Sequence, residues 1–333
     1  MRRELKIFAG NREFCLFAYY YNQTHTNFIE TYSMSCKKLI AAAVIAGCFF
    51  SSCGTPEGSD EDFLETPDTI KTSVLNVGGE LFSVPSPIQT ALMVQKSGLP
   101  YDQSMLNPVN QVNTYNTDDA RAFILGVYGA DLAYVSLYNQ TQDALKYLAS
   151  IKQLTDKLGL TSAFDSGTMQ RIRDNITNKD SMMTLVGIAY RASDAYLKDN
   201  RRSDIGGLIL TGGWIESMHF SMTSYKRNPS EAIRRRIAEQ KQALTSIRRI
   251  LDNNESQEVK EVSRMLNELS QVYDKVGFTY VYEEPRTDTV KKITYINSRT
   301  EITISEEQIN DIAAKIQAIR TNILNNSKLN KEQ

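Results

Sequence analysis

Proline placement limits this chain first. The eight prolines stand at positions 56, 67, 85, 87, 100, 108, 229 and 285, so Val109 to Asn228 contains none. Proline fixes φ and removes an N–H donor, which breaks helix interiors; a proline-free stretch of 120 residues permits long helices. Apolar residues recur there at helical spacing, as in Ala120, Phe123, Ile124, Val127, Val135 and Tyr138, and again in Met182, Leu185, Ala189, Ala192 and Tyr196. The pattern predicts helices near 87–97, 118–138, 141–158, 166–176, 179–198, 204–226, 229–252, 255–275 and 306–324.

Local signals mark the ends. Thr117-Asp118-Asp119 places acid in a first turn, and Ser305-Glu306-Glu307-Gln308 is a capping box. Asn228-Pro229-Ser230-Glu231 puts a cap before proline, with Glu231 positioned to pair with Arg235 one turn on. Gly98 and Gly159 are natural C-terminal stops. One stretch breaks the period: Phe278-Thr279-Tyr280-Val281-Tyr282 alternates, as do Lys292–Ile296 and Thr300–Ile304, with Asn297-Ser298 as a turn. The expected fold is all-α, a bundle of long antiparallel helices with a small β meander at about residues 278–304.

The four cysteines, at 15, 36, 48 and 53, lie in the first sixth of the chain, and no CxxC pair occurs. Lys37 and Lys38 precede an apolar run from Leu39 to Phe50, and the small residues Ser51 and Ser52 then lead to Cys53. A charged start, an apolar core too short to span a bilayer and a small-residue cleavage site form a secretory signal. With Cys directly after the small residues, the segment resembles the type II signal peptide of bacterial lipoproteins. The resemblance implies removal of the signal, lipid modification of Cys53 with palmitate among its acyl chains, and anchoring in the cell outer membrane. Phe50 stands three before Cys53, where that family carries an aliphatic residue; Ile45-Ala46-Gly47-Cys48 offers Cys48 as the alternative.

On this reading residues 1–33 are an over-long start, with translation expected at Met34. Residues 34–52 are the signal peptide and 53–66 a flexible acidic tether. Residues 67–327 form the helical domain, meander included. With 38 basic and 39 acidic side chains the chain lacks the basic excess of a nucleic-acid binder, so no nucleic-acid partner is expected. The expected partners are the membrane, through the lipid, and an envelope protein or glycan. A local cluster, Lys226, Arg227, Arg234, Arg235, Arg236, Lys241, Arg248 and Arg249, reads as a solvated face.

Chemical signatures are sparse. Outside the first 33 residues His219 is the only histidine, and no HExxH, GxSxG, GxGxxG or GxxxxGK[ST] pattern occurs. No metal, cofactor or catalytic residue is expected. Two acids stand out because they fall on apolar stripes: Asp131 between Val127 and Val135, and Glu216 between Gly212 and Phe220. A carboxylate there is costly unless paired or hydrogen-bonded, and Tyr128, Tyr134, Trp214 and His219 lie within a turn as donors. The six residues define a polar-aromatic pocket between two helices or a satisfied core network. The leading expectation is a non-enzymatic binding or scaffold module; the alternative is an envelope enzyme using Asp131 and Glu216 as acid and base.

Overall fold

The computed structural model describes residues 72–77, 80–85, 87–161, 166–176, 178, 202–252, 254–288 and 293–329, and it is mostly helical. All belong to one unit of the chain, residues 64–333. The anchor positions Cys48 and Cys53, the segments before residue 67 and the helix expected over 179–198 lie outside the described residues.

Two helices at the centre have almost no polar face. The first, α2 (Asp118–Leu137), starts where Thr117 Oγ1 accepts the Ala120 N–H at 3.0 Å. By length and composition it could cross a membrane, but 89% of its apolar window is buried inside the domain, which makes it a core helix. The other, α5 (Ser203–Arg227), is buried along nearly its whole length. The two meet at glycines. A Cβ on Gly212 would stand 1.9 Å from the Phe123 carbonyl oxygen, and one on Gly126 would stand 1.9 Å from the Ile209 carbonyl oxygen. Helix backbones touch there, and no side chain fits between them.

The flanking helices are striped. In α6 (Glu231–Leu251) the buried row runs Ile233, Ile237, Leu244, Ile247, Leu251, and in α7 (Gln257–Tyr273) it runs Val259, Val262, Leu266, Leu269, Val272. The last helix, α8 (Glu306–Leu329), buries Ile309, Ile312, Ile316, Ile319 and Ile323, a three-and-four spacing that makes one continuous seam. Helix α8 packs on α7, α5 and α2, while α1 (Pro87–Lys96) sits against both central helices. Helix α3 (Thr141–Lys157) covers α2, and α4 spans Ser166–Asp174. Gly98 and Gly159 end α1 and α3 at φ +78° and +71°.

Caps and pairs differ from expectation at one helix. Helix α6 begins two residues after Pro229, because Ser230 Oγ takes the Ile233 N–H and displaces Asn228 as cap. Arg235 then pairs forward with Glu239 at 3.2 Å, not back with Glu231. At α8 the capping box closes in full: Ser305 Oγ accepts from Gln308 N, and Gln308 Oε1 accepts from Ser305 N.

The strands also depart from a meander. Strands β1 (Thr72–Val77) and β2 (Glu80–Pro85) form an unforeseen antiparallel hairpin. Near the C-terminus, β3 (Gly277–Val281) pairs with β6 (Arg299–Thr303), while β4 (Arg286–Asp288) pairs with β5 (Ile293–Tyr295) between them. This is a hairpin nested in a hairpin. Ser298 explains it: its hydroxyl donates to the Glu283 carbonyl and accepts the Glu283 N–H, at 3.0 and 3.1 Å. The residue expected in a turn instead holds the two chains side by side.

The basic cluster lies at the surface, with Lys226, Arg227, Arg235 and Arg249 exposed, but several of its members also hold neighbouring segments. Arg227 pairs with Asp102, Arg234 donates to the Ile304 carbonyl and Arg235 to the Thr300 carbonyl. Arg236 donates to Gln89, and Arg248 to Asn267 and Ser270.

Candidate functional site

Because α2 and α5 cross at Gly126 and Gly212, the residues one turn further on are forced together. Those residues are Asp131 and Glu216, both with no solvent exposure. A third helix supplies the charge. Arg320 of α8 grips Glu216 with two donors, Nε to Oε2 at 2.6 Å and Nη2 to Oε1 at 2.7 Å, and its Nη2 also reaches the Met105 carbonyl at 3.2 Å. This is the planar two-point geometry that guanidinium and carboxylate share.

Asp131 is placed differently. Its Oδ2 accepts the Asn107 N–H at 3.3 Å, whereas Oδ1 receives no hydrogen bond. Burial, followed by the neighbouring Glu216 charge, pushes its pKa well above the usual carboxylate range; the Arg320 charge and the Asn107 N–H oppose this. Holding its proton more tightly than an ordinary carboxyl, Asp131 has less need of a donor at Oδ1. Glu216 and Arg320 pair inside the core, so neither is buried without a partner.

This has a pH consequence. A folded pKa above the unfolded value means that the native state holds the extra proton, so stability is complete below the unfolded pKa and falls as pH rises toward the folded one. The slope is at most about 1.4 kcal/mol per pH unit, the limit for one proton. Asp131→Asn keeps a donor and removes the titration. Its thermal midpoint relative to the parent is expected to climb as pH rises above 4 and to level off once pH passes the folded pKa; parallel midpoint curves for the two proteins would refute a raised Asp131 pKa.

The aromatic residues expected around the acids are close but point elsewhere. Tyr128 donates to the Pro108 carbonyl at 3.0 Å, and Trp214 Nε1 donates to Gln240 Oε1 at 3.0 Å. Tyr134 Oη accepts the Asp102 N–H at 3.1 Å, and His219 lies near Glu216 and Arg320 without a side-chain bond to either acid. Burial lowers the His219 pKa, which keeps the ring neutral. The residues that complete the site are instead Arg320, Met105 and Asn107, with Asn107 held by Tyr115 and by Tyr147 at 3.2 and 2.9 Å. No local signal singles out Arg320, since Lys315 stands at a like spacing between Ile312 and Ile319 of the seam.

A second feature lies on the surface. The exposed large apolar side chains among the described residues are Phe278, Tyr280, Tyr282, Tyr295 and Ile296, all in the nested hairpin. Tyr280 and Tyr282 are 66% and 67% exposed. Between this hairpin and α6 lies a groove of about 610 Å³ lined by Arg235, Lys241, Phe278, Arg299, Thr300 and Ile302, among others. The Lys241 ammonium sits 5.7 Å from the centre of the Phe278 ring. Arg299 is held by Glu283 and Glu301. Among the described residues no group of three or more His, Cys, Asp or Glu side chains is placed to hold a metal ion.

Fold and site together define a mostly helical domain with a closed carboxyl–carboxylate–guanidinium core and an aromatic surface hairpin. No family model, curated protein or solved structure matches the chain.

Proposed function

We propose that this chain is a lipoprotein of the bacterial outer membrane, acylated on Cys53 or alternatively Cys48. Its body, a helical domain in which the two central helices run parallel rather than antiparallel, serves as a non-enzymatic binding or scaffold module for another envelope protein or a glycan. The signal-like segment Lys37–Cys53 supports the anchor. The observation that carries the binding role is the gathering of exposed aromatic side chains on one hairpin beside a groove. Monomeric proteins rarely leave such side chains together in water unless something covers them. The alternative, Asp131 and Glu216 as acid and base of an enzyme, requires a substrate to reach two side chains that have no exposure and lie under Arg320.

Two measurements test the proposal. The N-terminal peptide of protein purified from native membranes should be acylated and begin at Cys53; an unmodified peptide beginning at Met1 would remove the anchor. For the module, Lys241→Ala with Tyr282→Ala should abolish retention on isolated envelopes while shifting stability by no more than about 0.5 kcal/mol, as surface substitutions do. Retention lost after protease treatment of the envelopes indicates a protein partner, and retention lost after periodate indicates a glycan. Equal retention of variant and parent would overturn the assignment of this surface.

A further inference from the structure

We infer that two copies of this chain join along the outer edge of β3, making a four-stranded sheet in the order β6-β3-β3-β6. This goes beyond the reading above and does not depend on the lipid anchor.

The sheet of β3 and β6 has only two strands among the described residues, so each strand leaves one row of backbone N–H and C=O groups without a strand partner. Folded proteins guard such rows with charge, proline or a covering element, since an open edge templates pairing with another chain. The two edges of this sheet are treated unequally. Strand β6, Arg-Thr-Glu-Ile-Thr, carries Arg299 and Glu301, which pair with each other at 3.0 Å. Strand β3, Gly-Phe-Thr-Tyr-Val, carries no charge and no proline, and its three central residues are exposed. A β-forming, uncharged edge whose central residues are exposed is the least protected kind.

The sequence of β3 identifies the occupant. Lacking charge, it selects neither an acidic nor a basic peptide. It does match itself. When two β3 strands run antiparallel about a two-fold axis at Thr279, Thr279 faces Thr279, Phe278 of each copy faces Tyr280 of the other, and Gly277 faces Val281. The pairing brings two aromatic pairs together across strands and opposes no like charges. It works whichever way the Thr279 N–H points, because symmetric antiparallel pairs exist in both the hydrogen-bonded and the non-hydrogen-bonded form. The same two-fold also stops growth: the outer edges of the four-stranded sheet are both β6, the guarded strand, so the assembly closes as a dimer.

The test uses the full chain carrying Thr279→Cys, with Glu301→Cys as the counterpart on the guarded edge. Directly opposed residues in an antiparallel pair have Cα atoms about 4.5–5.5 Å apart, within the reach of a disulfide. Mild oxidation should link Thr279→Cys into a covalent dimer and leave Glu301→Cys and the parent unlinked. The parent should weigh as a dimer by light scattering, and Tyr280→Lys should dissociate at least about tenfold more readily while keeping the parent's helical circular dichroism. A monomeric parent overturns the inference. So does a dimer that Tyr280→Lys leaves intact and Thr279→Cys does not link, since it must use another surface. Protection from hydrogen exchange, in a monomer, of the alternate amides in 277–281 that point away from β6 would also overturn it, by showing that the chain covers its own edge.

Discussion

Replacing Arg320 with Leu is expected to cost about 3–5 kcal/mol at pH 7, a fall in thermal midpoint on the order of 10 °C. The substitution keeps the apolar seam of α8 but leaves Glu216 charged, unpaired and without solvent contact. Glu216 can then escape its penalty only by taking up a proton. The deficit should therefore be greatest at pH 8 and shrink toward pH 5, as protonation becomes easier. Adding Glu216→Gln should recover part of the loss, because it removes the orphaned charge. Urea unfolding of the two single variants and the double variant at both pH values gives the coupling directly. Additive losses, or a deficit independent of pH, would mean that the guanidinium is not the partner that permits these acids to be buried.

Gly212→Ala is expected to cost about 3 kcal/mol, at the upper end of overpacking, despite the better helix propensity of alanine. The added methyl meets the backbone of Phe123 rather than a side chain, so α2 and α5 can accommodate it only by separating. Separation would also pull Asp131 from Glu216. Gly126→Ala strikes the same crossing from the other helix, so the double variant should lose clearly less than the sum of the two. Gly207→Ala is a useful contrast: its methyl would meet Ile250 Cγ2 at 2.2 Å, a side-chain atom, and Ile250→Ala should relieve the clash. If Gly212→Ala unfolds at the parent's denaturant concentration, the helices do not cross with their backbones in contact.

These two variants also show what could be read in advance. Helix positions were legible because their signals are local: Thr117 and Ser305 cap within their own first turns, and Gly98 and Gly159 stop helices by their own φ angles. The α6 cap differs from the expected one because three adjacent residues compete and the Ser230 hydroxyl takes the Ile233 N–H. The hairpin of β1 and β2 has its own local signal in Gly78-Gly79, which stands between two β-forming runs. The acids were legible as misplaced charge on apolar stripes. Their partner was not, because Arg320 lies 104 residues beyond Glu216, and no periodicity links positions so far apart. Nearby tyrosines and a tryptophan were the obvious donors, yet their polar atoms are bound to backbone or to Gln240.

That separation along the chain has a consequence for how the molecule is born. At about 5–20 residues per second, a ribosome needs roughly 5–20 s to travel from Glu216 to Arg320. During that interval α2 and α5 exist, but the cation that lets them close over two acids does not. The nascent chain must keep those carboxyls wet or protonated, so closure of α2 on α5 waits for α8. Closure of the core thus reports that translation has passed residue 320, and a chain cut short before it would carry the same defect as the leucine variant.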